Sequence, residues 1–228
     1  MNLDCRIDVN GETLVLDTSG AAWWPAEKTL AFADLHFEKG SAYARGGQLL
    51  PPYDTRTTIR RIEEALARYE PSRVVALGDS FHDGDAGERL DEEEGARLQS
   101  LAKGRDWIWV EGNHDPSPPD WLGGRVEAQA AIGGLLFRHR PCSGPCKGEV
   151  AGHLHPAARI NRNGMSLRRR CFVSDGTRLL LPAFGAYAGG LDVNDTAVVS
   201  LFSGGFAVYA LGRERVYAVS GRLVMRTH

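Results

Sequence analysis

The sequence predicts an α/β fold in which two mixed β-sheets pack face to face with helices outside. Three features predict it. Short apolar runs close on glycine or a polar residue, the mark of buried strands. In the first half these runs alternate with stretches of helical period, which implies βα units and a largely parallel sheet. After about Val126 short strands follow one another without convincing helices, which implies a second, mostly antiparallel sheet.

Residues 12–17 and 28–33 read as the first strands, separated by the turn-rich stretch Thr18–Pro25. Within it, Trp23 and Trp24 can either stack a base or wedge a strand into the core. Pro51 and Pro52 exclude a helix start before Asp54. From Asp54 onward, Ile59, Ile62, Leu66 and Tyr69 recur at spacings of three or four, and Pro71 ends the helix. Residues 73–77 form the next strand. A second helix is expected over Asp85–Ala102, with Leu90, Ala96, Leu98 and Leu101 inward and Asp91–Glu94 as a solvated face. Further strands fall at 107–111, 135–138 and 149–151. Asn163 and Gly164, between 158–162 and 165–173, are a type I′ hairpin signal. The last strands are expected at 196–202, 205–211 and 215–219. No linker separates the halves, so residues 1–228 read as one domain.

The chain has 228 residues, 43% apolar and 25% charged, with a formal net charge of −2. That balance does not indicate a globally basic nucleic-acid binder, although a local patch remains open. No apolar run approaches the length of a membrane span, and the first residues lack the basic and apolar regions of a signal peptide, so a cytoplasmic protein is expected. Cys142 and Cys146 have a spacing open to a zinc site or a disulfide. With no second pair at matching spacing they read as reduced loop cysteines, and no metal is assigned to them.

Six of the seven histidines fall in or beside signatures that also hold Asp and Asn. In order these are Asp34 and His36; Gly78, Asp79, His82 and Asp83; Gly112, Asn113, His114 and Asp115; His139; and Gly152, His153 and His155. Each signature ends a β-type run, and open α/β sheets gather ligands outside the carboxyl ends of their strands. All five therefore converge on one edge. The glycines at 78, 112 and 152 allow sharp turns and close backbone approach. Carboxylates, imidazoles and an amide oxygen suit Mn, Fe or Zn. Two such ions carry four positive charges. Asp34, Asp79, a bridging hydroxide and a phosphodiester bring the site to neutrality. Asp79, with two oxygens to share, is the natural bridge. Metal-bound hydroxide would be the nucleophile, and the ions would clamp the phosphate. His114 can protonate the leaving oxygen and Asp115 can orient that imidazole, so these two are the catalytic candidates.

The ordered set DxH, GDx(n)D, GNH[DE], H, GHxH resembles the calcineurin-like metallophosphoesterase superfamily, which implies a two-sheet metallophosphoesterase sandwich over nearly all the chain. The resemblance implies one ion on Asp34, His36, Asp79 and His155, and the other on Asp79, Asn113, His139 and His153, with His114 as general acid. Residues 34–40, 49–55, 78–83, 152–156 and 170–185 also resemble the bacterial ligase-associated PdeM group. That narrower resemblance implies a manganese-dependent phosphodiesterase and DNA endonuclease in bacterial repair, with single-stranded DNA as substrate and helicase and ligase as repair partners. Fe or Zn can replace Mn in such a site. A hydrolase of the same fold acting on nucleotides, phosphoproteins or lipid-linked diphosphates is the alternative. A catalytically dead scaffold, like a retromer subunit of this fold, would lack ligands or the acid histidine, and here all are present.

Other residues have two readings. His82 can touch substrate or support a ligand, or be an idle loop histidine. Asp83 can orient a ligand histidine or cap a helix. Glu38, Lys39 and Arg45 can reach substrate phosphate or stay solvated. Arg159, Arg162, Arg168, Arg169 and Arg170 cluster on the expected hairpin, with no acid from Pro156 to Ser174. Alternation puts Arg168 and Arg170 on one face and Arg169 on the other. The ribbon can guide a polyanion, or be an edge charged against aggregation.

Overall fold

The structure, a computed structural model, describes residues 5–115, 118–162 and 165–219. The chain begins with β1 (Cys5–Val9), β2 (Glu12–Leu16), β3 (Ala22–Trp24) and β4 (Thr29–Ala33), each antiparallel to the one before. It then turns into βα units: α1 (Lys39–Arg45), α2 (Asp54–Tyr69), β5 (Arg73–Leu77), α3 (Ala86–Arg89), α4 (Glu92–Ala102), β6 (Asp106–Val110) and β7 (Arg125–Glu127). β4 to β7 pair in parallel and complete a seven-stranded sheet in sequence order.

The second sheet uses β8 (Gln129–Ile132), β9 (Leu135–Arg138), β10 (Glu149–Ala151), β11 (Ala157–Arg162), β12 (Met165–Ser174) and β13 (Arg178–Leu180). After the short α5 (Thr196–Val199) come β14 (Ala207–Leu211) and β15 (Val216–Val219). Its order is β15-β14-β12-β13-β10-β9-β8, with β11 paired to β12. This sheet is mixed, since β9, β10 and β13 run parallel.

Alternation along the strands builds three apolar layers. Leu30, Phe32, Val74, Ala76, Trp107 and Trp109 face Ile59, Ile62, Leu66 and Leu98 of the helices. Their neighbours Ala31, Ala33, Val75, Leu77, Ile108 and Val110 face Phe137, Val150, Phe172 and Leu179 of the second sheet. Phe202 and Val198 cover the far face of that sheet. Burying one large apolar side chain contributes roughly 1.5–3 kcal/mol, so the strand runs that end at the signatures are also the most firmly held.

Several expectations change. β1 lies ahead of the first expected strand, and β3 falls inside the stretch read as a turn. Trp24 is buried and Trp23 stacks on Tyr69 with ring centroids 5.3 Å apart, so both serve packing and neither is free for a base. The expected helix 85–102 breaks at Leu90, and Asp91 caps α4 by accepting from the Glu93 amide at 2.9 Å. Ala96 is exposed, and Glu94 is buried against Arg56 rather than solvated. Residues 196–199 are helical, not a strand, because Asp195 caps that turn through the Ala197 amide at 2.8 Å. The hairpin β11–β12 forms in the expected register, while Asn163, Gly164 and the Arg162 side chain lie outside the described residues. Cys142 and Cys146 are unbridged and half-buried.

Candidate metal centre

Parallel strands β4, β5 and β6 end side by side, and the segments after them carry Asp34, Asp79 and Asn113. The loops after β9 and β10, in the facing sheet, bring His139, His153 and His155 to the same edge. A parallel bridge between Ala33 and Ala183 ties β4 to the segment that follows β13.

The turns are tight and strained. Asp34, His36, Asp79, His153 and His155 all adopt positive φ, between 46° and 69°. Non-glycine residues there cost on the order of 1–3 kcal/mol each and persist only where surrounding structure over-determines them. The strain aims carboxylates and imidazoles at one another. Gly112 shows why glycine is needed: a Cβ there would sit 2.2 Å from the Asp79 amide. Gly78, at φ 69°, would place one 2.5 Å from the His139 ring.

Two clusters result. In the first, His155 Nε2 lies 3.1 Å from Asp34 Oδ1 and 3.3 Å from His36 Nε2. In the second, His139 Nε2 lies 3.0 Å from Asn113 Oδ1, 3.2 Å from His153 Nδ1 and 3.3 Å from Asp79 Oδ2. Within each of the triads Asp34–His36–His155 and Asp79–His139–His153, the candidate ligand atoms lie within 4.8 Å of one another. His139 Nδ1 faces the Leu77 carbonyl at 2.9 Å, so in the neutral ring Nδ1 carries the proton and Nε2 is a bare lone pair. That lone pair points at two oxygens that also only accept. Acceptors converging without a proton between them call for a cation, and a ring fixed from behind by a carbonyl is the usual support of a metal-bound histidine. The residues fit a divalent ion in each cluster.

Burial would lower the His139 ring, but Asp79, Asp34 and the Leu77 carbonyl outweigh it and hold it above the usual imidazole range, a pull toward positive charge that a cation would take over. Burial and the neighbouring His155 push His36 down to about 2, which leaves its ring neutral and able to ligate. Burial would raise the Asp79 carboxyl, but His139, the His114 amide and His36 outweigh it and hold Asp79 below the usual range. The two histidines that act on Asp79 come from different clusters. Asp34 accepts the His153 amide at 3.0 Å and Asp79 accepts the His114 amide at 2.9 Å, so both carboxylates are anchored by backbone.

The model of the calcineurin-like phosphoesterase family matches residues 27–179, which include every candidate ligand named above. The chain belongs to that family. As a calcineurin-like phosphoesterase it is a metal-dependent hydrolase of phosphate esters. Among solved structures it is similar to the Pseudomonas putida nuclease MPE, with 27% identity, a TM-score of 0.73, and coverage of 95% of this chain and 100% of that one. It also matches Yfce, a phosphoesterase from E. coli, at 17% identity and a TM-score of 0.42, over 84% of this chain and 97% of that one. No curated protein matches the chain.

Around the phosphoesterase centre, some expected roles move. Asp115 is buried, but its Oδ2 accepts from the Phe81 amide at 2.9 Å. The bond that orients the His114 ring is instead its Nδ1 to the His82 carbonyl, at 2.9 Å. Burial, with Asp79 nearby, pushes the Asp115 carboxyl up to about 7. His82 itself is at the centre: its Nδ1 is 3.4 Å from His36 Nδ1, and its ring stacks on His114 with centroids 5.5 Å apart. Asp83 orients no ligand; it accepts a bidentate pair from Arg89 at 2.9 and 2.7 Å and the Asp85 amide at 3.0 Å. Glu38 is buried and bonded to Thr55, and Arg45 meets Asp85 at 3.4 Å on the surface. Arg168 and Arg169 are exposed. Arg170 is half-buried, and its Nη1 donates to the carbonyls of Ala183, Phe184 and Gly185 at 2.7, 3.3 and 3.4 Å, so it does not stand with Arg168 on the exposed ribbon.

Two residues at the site were not anticipated. Arg140 donates to Asn113 Oδ1 at 3.4 Å and lines an open cleft of about 440 Å³ with Asn113 and His139. Tyr43 lies on the other side, its ring 5.9 Å from His82 and beneath the Lys39 ammonium. Arg140 had a signal, since it directly follows a metal-type histidine at a strand end. Tyr43 had none beyond its place in α1, a helix that glycines at 40, 46 and 47 obscure.

Proposed function

We propose that this phosphoesterase holds two divalent ions and cuts phosphodiester bonds in DNA, single strands first, as a manganese-dependent repair nuclease of the bacterial cytoplasm. The observation that carries this reading is the likeness to the P. putida nuclease over 95% of the chain. Two ions bound in the clusters would acidify water and neutralise the phosphate oxygens. Asp79 would bridge, with one oxygen toward His139 and the pull of both clusters on its charge. Asp34, His36 and His155 would complete one ion's shell; Asn113, His139 and His153 would complete the other. His114, 44% exposed and 3.9 Å from Asp79 through Nε2, has the freedom to reach a leaving oxygen and donate a proton. Asp115 would act on it only through the backbone.

A nucleic-acid substrate also suits the rim. Lys39, Arg140 and His82 border the clusters with positive or polar tips, and Tyr43 offers an aromatic face beside them. On the hairpin, Arg159 and Arg168 are direct cross-strand partners, an arrangement that costs stability unless a polyanion relieves it. Helicase and ligase partners and the one-domain organisation of residues 1–228 belong to the same proposal.

The test is a comparison of substrates on the manganese-loaded enzyme. A single-stranded oligonucleotide should be cut with higher kcat/KM than a duplex, a mononucleotide or a nitrophenyl monoester. Turnover of nucleotides or monoesters without strand cleavage would shift the reading to a small-molecule phosphatase of the same fold.

A further inference from the structure

Away from the metal clusters, a pocket of about 230 Å³ opens between α2, the loop after β2, β12 and the loop after β14. Its lining includes Arg61, Arg68, Arg170, Arg213, Asp17 and Glu64. Both acids are already engaged. Asp17 is held by Arg68, by the Tyr69 hydroxyl at 2.8 Å and by the Ser19 amide at 2.8 Å. Glu64 pairs with Arg60 at 2.9 Å. Among the described residues, no carboxylate forms an ion pair with Arg61, Arg170 or Arg213.

That is an unusual way to leave guanidinium groups. Arg61 and Arg170 are half-buried and adjacent, and each donates one nitrogen to the Phe184 carbonyl, at 3.2 and 3.3 Å. Among the described residues their other nitrogens make no further hydrogen bond to protein, and both side chains line the pocket. Burial and the charge on Arg61 pull Arg170 down to about 10, two like charges held side by side, with the Glu64 charge acting on Arg61 alone. A charge withdrawn from water is costly unless paired. A guanidinium fork matches the oxygens of a phosphate group in geometry as well as charge. With ~30 Å³ as the share of one liquid water, the space admits such a group and several waters.

We propose that Arg61, Arg170 and Arg213 form a binding site for a phosphate-type oxyanion, separate from the metal centre. The anion is either free phosphate or a backbone phosphate of a bound strand. The site connects to the centre through one short segment. Phe184, whose carbonyl both arginines hold, donates its amide to Ala33 at 2.8 Å, and Gly185 donates to Asp34 at 3.1 Å. Filling the pocket would stiffen the backbone that carries the first metal ligand.

Sulfate titration of the metal-loaded enzyme, followed by calorimetry at low ionic strength, tests the site. Wild type should show a saturable event that R61Q weakens tenfold or more. R213Q, which alters only the rim, should weaken it several-fold, and it guards against a loss caused by a loosened Phe184 segment. Equal sulfate affinity in all three proteins would overturn the proposal. The source of the anion is read separately, and that arm rests on the proposed nuclease activity. If R61Q raises KM for an oligonucleotide with kcat unchanged, the anion is a strand phosphate. If KM is unchanged while sulfate binding is lost, it is a free anion. A wild type that cuts no strand would sink the nuclease reading and leave the sulfate result standing.

Discussion

His139 Nε2 and Asn113 Oδ1 face each other at 3.0 Å, while the other nitrogen of His139 meets the Leu77 carbonyl at 2.9 Å. In the neutral ring with its proton on Nδ1, Nε2 and the amide oxygen both accept, and a divalent ion would take both lone pairs. Asn113→Ala and His139→Ala should therefore each lose close to one ion per chain and keep the other. Asp79→Ala should lose both ions along with activity. Metal content measured per chain checks this; full activity in a variant loaded with one ion would remove the two-metal reading.

His114 touches Asp79 through its backbone amide, at 2.9 Å, and alanine retains that amide. His114→Ala should keep its metals. A nitrophenyl ester, whose leaving group departs without a proton, should lose little. A DNA diester should lose roughly 10²–10⁴-fold, the range for acid catalysis. Equal losses on both substrates would mean that the ring positions phosphate instead.

Arg168 and Arg169 are the exposed arginines of β12, whereas Arg170 turns its Nη1 to the segment at 183–185. Arg168→Gln with Arg169→Gln should spare a small diester and weaken DNA binding. Each phosphate contact removed should flatten the logarithmic salt dependence by about 0.7 for a single strand. An unchanged slope across a salt series would mark the ribbon as a solvated edge.

Asp17 ties the loop after β2 to Arg68 and Tyr69 at the end of α2. Burial would raise its carboxyl, yet hydrogen bonds from Ser19 and Tyr69 and the charge of Arg68 hold it below the usual range. The native state therefore binds fewer protons than the unfolded chain just below an ordinary aspartate pKa of about 3.9. The stabilisation is full above that value and is lost as pH falls through the lowered native pKa. Asp17→Asn should cost roughly 1–3 kcal/mol at pH 7. The gap to wild type in urea unfolding should narrow only below about pH 4. A gap independent of pH down to acid unfolding would show that the loss is one of shape and not charge.

The candidate ligands were legible because each sits within a few residues of an apolar strand run, and strand ends are local events. Helix α2 was legible for the same reason, through the spacing of Ile59, Ile62 and Leu66. The fate of Asp91, Asp195 and Glu94 was not, since a cap or an ion pair outweighs the average preference of a window. Asp115 shows the limit most clearly. Adjacency to His114 suggested that it orients the ring, but its carboxylate turns to a backbone amide 34 positions away in sequence.

The sequence by itself determined which side chains could ligate, where the strands that carry them end, and the family to which they belong. Those properties follow from residue chemistry and from backbone periodicity over a few residues. Only the tertiary structure decided how the candidate ligands divide into two clusters and which arginines stay exposed. His155 reaches Asp34 and His36 across 119 and more positions, and Arg170 turns inward to Phe184 while its neighbour Arg169 stays exposed. Such outcomes depend on sheet pairing and on which carbonyls lack donors, and neither is encoded within any short window of the chain.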